Sequence, residues 1–283
     1  MNSRRSECAL VVEGGGMRGI FSTGLLDGFL ERRFDPFHLY IGVSAGATSI
    51  AAYLAEMHGR NRKIYIELST GPEFISFARF LRGGHLMDLD WLWNTTISRM
   101  RLDLPRIYGK QRPFLVGMTD VATGMPVFKE TSADDLEHLL KVSSALPVVY
   151  RGFPAVDGRP MTDGGVSDPI PVAEAIRLGA KRILVVRSRP REHRSSPDAL
   201  SYLIRCLVRK HPALSATLKS HDRIYNDTLM LIRRPPDGVS IIEVCPPDEF
   251  RIGKFTRDAG MLREGYEQGR AMAGEAIAGW ERS

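Results

Sequence analysis

Short apolar runs alternate with stretches whose apolar residues recur every three or four positions, and this alternation predicts an α/β chain. Cys8-Ala9-Leu10-Val11-Val12 is apolar throughout, as suits a strand buried on both faces of a parallel sheet. Phe21, Leu25 and Phe29, flanked by Leu26 and Leu30, mark one face of a helix whose other face carries Asp27, Glu31 and Arg32. Leu39 to Val43 predicts the next strand, and Ala47, Ile50, Ala51 and Leu54 recur at i, i+3, i+4, i+7 to predict a helix after it. Phe114 to Val121 and Met125 to Lys129 alternate around Thr123-Gly124 and predict a hairpin. Leu136, Leu139 and Leu140 mark a helix. Val172, Ala175 and Ile176 mark another, entered at Pro169-Ile170-Pro171 and ended at Gly179.

Ile183 to Val186 and Ile241 to Val244 predict two further strands. Between them Leu200, Leu203, Ile204 and Leu207 form an apolar stripe beside Arg205, Arg209 and Lys210, the pattern of an amphipathic basic helix. Leu262, Tyr266, Ala273, Ile277 and Trp280 share one face of a last helix, expected as a structural brace. Residues 70–112 are less regular. Phe74, Phe77 and Leu81 have the spacing of a core-facing helix. With Phe80, Leu86, Trp91, Leu92 and Trp93 set between Arg79, Arg82, Arg99 and Arg101, the same stretch also suits a lid or an acyl-chain pocket with basic flanks.

The candidate chemistry lies where strand patterns end and helix patterns begin. Gly42-Val43-Ser44-Ala45-Gly46 stands at one such junction and reads as a nucleophile elbow, a sharp turn that holds a serine hydroxyl clear of the backbone at a helix N-terminus. Gly42 and Gly46 remove Cβ atoms where strand and helix backbones crowd together. Glu13-Gly14-Gly15-Gly16-Met17-Arg18-Gly19 occupies the other junction. Gly14-x-Gly16-x-x-Gly19 fits the dinucleotide fingerprint literally, but the acidic partner expected at the end of the next strand is replaced by Gly-Val-Ser-Ala-Gly. No Gly-Lys-Ser/Thr follows, which excludes a Walker A loop. The remaining use is an oxyanion hole, in which consecutive glycine N–H groups converge on a developing negative charge. Neighbouring parallel strands would put the two loops side by side.

Composition changes this picture little. The chain has 283 residues, 43% hydrophobic and 25% charged, with no repeat and no low-complexity linker, so one large α/β domain is expected. Cys8, Cys206 and Cys245 are far apart and lack metal-ligand spacing, which suits a reducing compartment. No apolar run reaches signal-peptide or membrane-spanning length, so a cytoplasmic location is expected. The charge of +6 is concentrated: residues 60–112 hold ten Lys/Arg against five Asp/Glu, and residues 181–211 hold nine against two. Such stretches are ordinarily solvated faces; their other reading is attraction to an anionic surface, placing the protein peripherally on the inner face of a membrane.

The glycine loop followed by Gly42-Val43-Ser44-Ala45-Gly46 resembles the patatin-like phospholipase family, which shares its catalytic plan with cytosolic phospholipase A2. The resemblance implies a three-layer α/β fold with a mainly parallel central sheet flanked by helices. It implies a Ser-Asp dyad with Ser44 as nucleophile, and a late Asp-Gly-Ala/Gly motif for the acid. Met161-Thr162-Asp163-Gly164-Gly165-Val166 matches that motif, making Asp163 the general base. Val142-Ser143-Ser144-Ala145-Leu146-Pro147 matches the family's Ser-rich block ending in Ala-x-Pro. Asp168 stands where the family commonly has Asn. The oxyanion hole would fall on Gly14, Gly15, Gly16, Met17, Arg18 and Gly19, with the N–H groups of Gly15 and Gly16 foremost. Arg18 would orient the loop or meet a phosphate. The resemblance covers a catalytic core at residues 8–190; residues 191–283 are expected as a C-terminal helical extension completing the same domain, with a strand near 240–245.

The implied activity is hydrolysis of a phospholipid or other lipid ester, a phospholipase A or carboxylesterase type reaction with no cofactor, no metal and no nucleic-acid partner. Two other readings stand beside it. An α/β-hydrolase would use Ser, Asp and His, and His193, His211 and His221 all follow Asp163, although only one predicted strand precedes Ser44 where that fold needs several. A non-catalytic nucleotide- or nucleic-acid-binding protein would use the glycine loop and the basic segments, without any recognisable zinc, helix-turn-helix or RNA-binding signature.

Overall fold

The computed structural model describes residues 7–197 and 204–283. The chain opens with β1 (Cys8–Val12), α1 (Gly19–Glu31), β2 (Leu39–Val43) and α2 (Ala45–Leu54). It continues with α3 (Phe77–Leu81), α4 (Leu89–Met100), β3 (Phe114–Asp120), β4 (Pro126–Glu130), α5 (Leu136–Ser143), β5 (Ala155–Val156) and β6 (Arg159–Asp163). The remainder holds α6 (Val172–Arg177), β7 (Arg182–Val186), α7 (Pro212–Arg233), β8 (Ser240–Val244), α8 (Ala259–Ala271) and α9 (Ala273–Arg282). Shorter helical turns join these elements.

The strands form one mixed sheet in the order β5-β6-β3-β2-β1-β7-β8, with β4 also paired to β3. The centre is parallel: β1 pairs with β2 and β7, β2 with β3, and β7 with β8. Antiparallel pairing is confined to β4, β5 and β6. Successive residues of a strand face opposite sides, and the two sides are covered by different helices. Leu10, Val12, Tyr40 and Leu184 share a core with Phe21 and Leu25 of α1, Ile50 of α2, Leu139 of α5 and Trp280 of α9. Ala9, Val11, Ile41 and Ile183 pack on the other side with Val172 and Ala175 of α6 and Tyr225, Leu229 and Ile232 of α7. The result is the expected three-layer α/β architecture, and the apolar runs at β1, β2 and β7 are apolar because both their faces are covered.

One helix contact has no counterpart in the apolar pattern. α1 and α8 cross so closely that a Cβ on Gly24 would lie 2.0 Å from the Tyr266 carbonyl oxygen, and one on Gly269 would lie 2.1 Å from the Phe21 carbonyl oxygen. Gly24 and Gly28 sit four apart on α1, as Gly265 and Gly269 do on α8, so each helix offers a flat strip to the other. Asp27 is buried at this crossing, where its Oδ2 accepts from the Tyr266 hydroxyl at 2.8 Å and from Gly59 N–H at 3.0 Å. Burial pushes the Asp27 carboxyl above the ordinary carboxylate range, against the pull of those two donors. Tyr266→Phe removes one donor from this buried acid, and a loss of about 1–3 kcal/mol in the urea unfolding free energy is expected.

Three expectations are corrected. The predicted last helix is two, α8 and α9, separated at Met272. The core-facing helix expected through Phe74, Phe77 and Leu81 is not one: Phe74 is buried but precedes α3, while Phe77 and Leu81 point into solvent. The flanking Gly71-Pro72 and Gly83-Gly84 confine helix to a single capped turn. In the basic stripe, Leu200 and Leu203 lie outside the described residues. Ile204 is buried together with Val208, whereas Leu207 faces outward, so the stripe is split between core and solvent.

Candidate active site

β1 ends in the glycine loop and β2 ends at Ser44; because the two strands are hydrogen-bonded neighbours, both loops emerge at the same edge. Ser44 has φ 52° and ψ −127°, a strained conformation for a residue with a side chain, held by contacts on both sides. On one side the helix start is pressed against the strands: a Cβ on Gly42 would meet the Ala47 backbone at 2.7 Å, and one on Gly46 would meet the Val12 carbonyl oxygen at 2.3 Å. On the other, Ser44 N–H donates to the Ser143 hydroxyl at 2.7 Å, which itself donates to the Gly117 carbonyl at 2.6 Å. The Ser143 hydroxyl thus bridges β2 and β3 where the chain turns away from the sheet.

β3 also sets the position of the acid. Val43 is paired with Gly117, and Asp163, the last residue of β6, is paired with the next position, Met118. β4 pairs with β3 across Leu115 to Thr119 on its other edge, so β2 and β6 meet end to end along a single edge. That arrangement brings Ser44 beside Asp163. Asp163 N–H donates to the Ala145 carbonyl at 3.1 Å, and its carbonyl accepts from Thr119 Oγ1 at 2.8 Å. Gly164 packs its bare Cα against Gly117, where a Cβ would lie 2.2 Å from the carbonyl oxygen. The carboxylate accepts from Gly165 N–H at 2.7 Å, and the Ser44 hydroxyl is near enough to favour its charged form. Burial dominates its titration, pushing the pKa up to about 6 against the pull of those donors and of Lys254.

The glycine loop is held from outside. Gly14 N–H donates to Pro169 O at 3.4 Å and Met17 N–H to Lys254 O at 3.2 Å. Arg18 N–H donates to Gly15 O at 3.3 Å, and Gly19 N–H to Gly16 O and Met17 O. Among the described residues, the N–H groups of Gly15 and Gly16 have no backbone acceptor, so the six loop residues named from the sequence narrow to these two as available donors. Gly16 needs its glycine: it has φ +57°, and a Cβ there would sit 2.8 Å from Lys254 O. Ser188 braces the loop by donating to Gly14 O at 3.0 Å and accepting from Arg18 Nε at 3.3 Å, while Glu13 Oε2 accepts Ser188 N–H at 2.7 Å.

Glu13 belongs to a buried network that the sequence pattern did not reveal. Arg187 is fully buried between Glu243, to which it donates at 2.7 Å, and the Tyr225 hydroxyl at 3.0 Å; Tyr225 in turn donates to Glu13 at 3.2 Å. This ties the residue that follows β1 to the end of β7, α7 and β8. The only forewarning was its position directly after the apolar run of β7.

Ser44, Asp163 and the glycine loop line a cavity of about 550 Å³. Its lining is partly apolar, with Ile64, Phe74, Leu92, Trp93, Leu102 and Leu140. It also includes Arg18, Arg189 and Lys254, together with the acids Glu13, Glu137 and Asp222. Arg18 is 4% exposed, its Nη1 has no hydrogen-bond partner, and burial together with Arg189 pushes its pKa down to about 10. His193 is pushed down to about 4 by burial and by four surrounding arginines. His221 Nδ1 lies 3.3 Å from Val166 O, and His211 packs on Phe153. Among the described residues no histidine is hydrogen-bonded to Ser44 or Asp163. Asp168, at the position commonly Asn, has its own carboxyl pushed up to about 7 by burial despite the Ile170 N–H. No group of three His, Cys, Asp or Glu able to hold a metal occurs among the described residues.

A family model described as patatin-like phospholipase matches residues 10–176, and the chain belongs to that family. The family domain supports lipid acyl hydrolysis in general. A second model, a domain of unknown function (DUF6363), matches residues 211–283. The chain is 35% identical over 266 residues to the uncharacterized protein YjjU of Escherichia coli K12, covering 93% of this chain and 74% of that one. Its fold is similar to that in the crystal structure of VipD from Legionella pneumophila, with a TM-score of 0.55 and 12% identity, covering 98% of this chain and 67% of that one.

Proposed function

We propose that the protein is a serine carboxylic ester hydrolase of lipids, cleaving fatty-acyl esters through an acyl-enzyme on Ser44 with Asp163 as general base. The observation that carries this reading is a buried carboxylate, Asp163, set beside Ser44 by the register along β3, both lining one partly apolar cavity. Asp163 takes the Ser44 proton as Oγ bonds to the ester carbonyl carbon, and the resulting oxyanion is held by the Gly15 and Gly16 N–H groups. Collapse expels the alkoxide, which takes the proton back from Asp163. Water, deprotonated by the same carboxylate, then releases the fatty acid and restores Ser44. The apolar lining suits an acyl chain, and Arg18, Arg189 and Lys254 suit a phosphate, which favours a phospholipid over a neutral glyceride. In this reading residues 8–190 are the catalytic core and 191–283 complete the same domain through β8 and the α1–α8 contact.

A fluorophosphonate probe tests the reading: covalent labelling should map to Ser44, and an intact protein that remains unlabelled would refute it. The pH profile is a second test. A protonated Asp163 cannot accept the Ser44 proton, so kcat/KM toward an uncharged aryl ester should fall with decreasing pH through a single ionisation near 6. A limb at the ordinary carboxylate value near ~4 would remove the buried-base argument.

A further inference from the structure

Two large apolar side chains stand in solvent beside the cavity, on a turn built to keep them there. Phe77 is 62% exposed and Leu81 is 86% exposed, four residues apart on α3. Arg79 fixes the inner side of this turn, its guanidinium donating to the carbonyls of His85, Glu73 and Phe74. Ser76 caps the helix by accepting Arg79 N–H at 3.2 Å, and Phe80 packs inward on the cluster of Phe74, Leu86 and Tyr150. The exposed pair therefore projects from an anchored scaffold, and its hydration is a standing cost that contact with an apolar phase would relieve.

The neighbouring chain extends this face. Arg151 lies 4.5 Å from the Phe80 ring centroid, and two residues later Phe153 meets the His211 ring at 4.9 Å. Just before His211, Leu207 is 55% exposed and Arg209 and Lys210 point into solvent. All three segments are walls of the same cavity, which Phe74, Met87, Leu146 and Ile204 line from within. Arg101, Arg106 and Arg112 are paired with Glu137, Glu56 and Asp35, whereas Arg82, Arg209 and Lys210 have no acidic partner among the described residues. Apolar knobs ringed by unneutralised cations are complementary to a bilayer with anionic headgroups.

We propose that the face formed by Phe77, Leu81, Arg82, Arg151, Leu207 and Lys210 docks the protein on an anionic phospholipid bilayer, with the cavity behind it. The inference rests on the lipid-ester reading of that cavity. No helix among the described residues is long and apolar enough to cross a membrane, so contact through this face needs only shallow insertion of Phe77, Leu81 and Leu207.

The test is co-sedimentation of the full chain with vesicles of phosphatidylglycerol and phosphatidylcholine, and of phosphatidylcholine alone. Wild type should bind the mixed vesicles, more weakly at high salt. The double variant Phe77→Asp/Leu81→Asp should bind at least about tenfold more weakly, and Arg82→Glu/Lys210→Glu should lose the salt-sensitive part. Both should retain the wild-type melting curve and kcat/KM on a soluble aryl ester. Unchanged vesicle binding by the double Asp variant overturns the proposal. So does a wild-type dimer, seen by sedimentation velocity, that the same variant dissolves, since that outcome assigns the face to a second copy. Failure of the hydrolase reading is recognised separately, as absent ester turnover and absent Ser44 labelling with vesicle binding that still depends on Phe77.

Discussion

Asp163→Asn is expected to lower kcat/KM toward a short-chain aryl ester by about 10³-fold or more, equivalent to about 4 kcal/mol of transition-state stabilisation. Asparagine keeps the shape of the side chain and can still accept Gly165 N–H, but it cannot take the Ser44 proton. Among the described residues no other group is arranged to do so: His193 is held near a pKa of 4, and the His221 Nδ1 is directed to a backbone carbonyl. Ser44→Ala should reduce turnover at least as far, and His193→Ala with His221→Ala should leave it within a few-fold of wild type. The folded control has a definite sign. Because the Asp163 pKa is raised on folding, the group favours the native state at low pH, and that contribution is lost as pH rises through about 6. Asn in its place should therefore hold or raise the Tm at pH 8. A variant that keeps full activity excludes the dyad; one that melts early at pH 8 contradicts the account of burial.

The second large effect is on folding. Gly46→Val should cost about 4 kcal/mol or more in stability and abolish esterase activity with it. Its Cβ would lie 2.3 Å from the Val12 carbonyl oxygen and 2.7 Å from that of Glu13, atoms of the sheet and the glycine loop that cannot move aside as a flexible side chain can. Relieving the clash requires α2 to lift off β1, which carries Ser44 away from the loop. Gly274→Ala is the matched control. Nothing lies within 4 Å of a Cβ there, and a small gain from reduced unfolded-state entropy is expected. Urea midpoints for the two variants should differ in opposite directions from wild type.

Much of this arrangement is legible from residue types. The apolar runs at β1, β2 and β7 declare a buried parallel centre, and the two glycine-rich junctions mark its functional edge. The pairing of Ser44 with Asp163 is not written in local spacing. It follows from register along β3, and the sequence reached it only through resemblance to a family. Ser143 was visible as part of a motif, but its role required knowing that a ladder between β2 and β3 ends beside it. Charge counting misled in a specific way: Arg187 lies within the basic segment 181–211, yet it is fully buried on Glu243 and Tyr225. A linear count cannot distinguish a solvated cation from one neutralised by a distant carboxylate. Helical periodicity failed at Phe77 and Leu81 because the segment is too short to have a buried face of its own. It was blind to Gly24, Gly28, Gly265 and Gly269, whose contribution is absent volume, which no apolar tally registers.

That glycine-lined crossing bears on how the molecule is made. A ribosome delivers α1 well before α8, so in the interval the nascent chain carries one flat helix face with no mate, together with a buried-type acid at Asp27 still in water. Domains emerge at only about 5–20 residues per second, which leaves this surface open for seconds to tens of seconds. The loop at Lys254 that pins Met17 arrives just before α8. The glycine loop therefore stays unpinned until Lys254 has emerged, and a chain interrupted before that point is released without this contact.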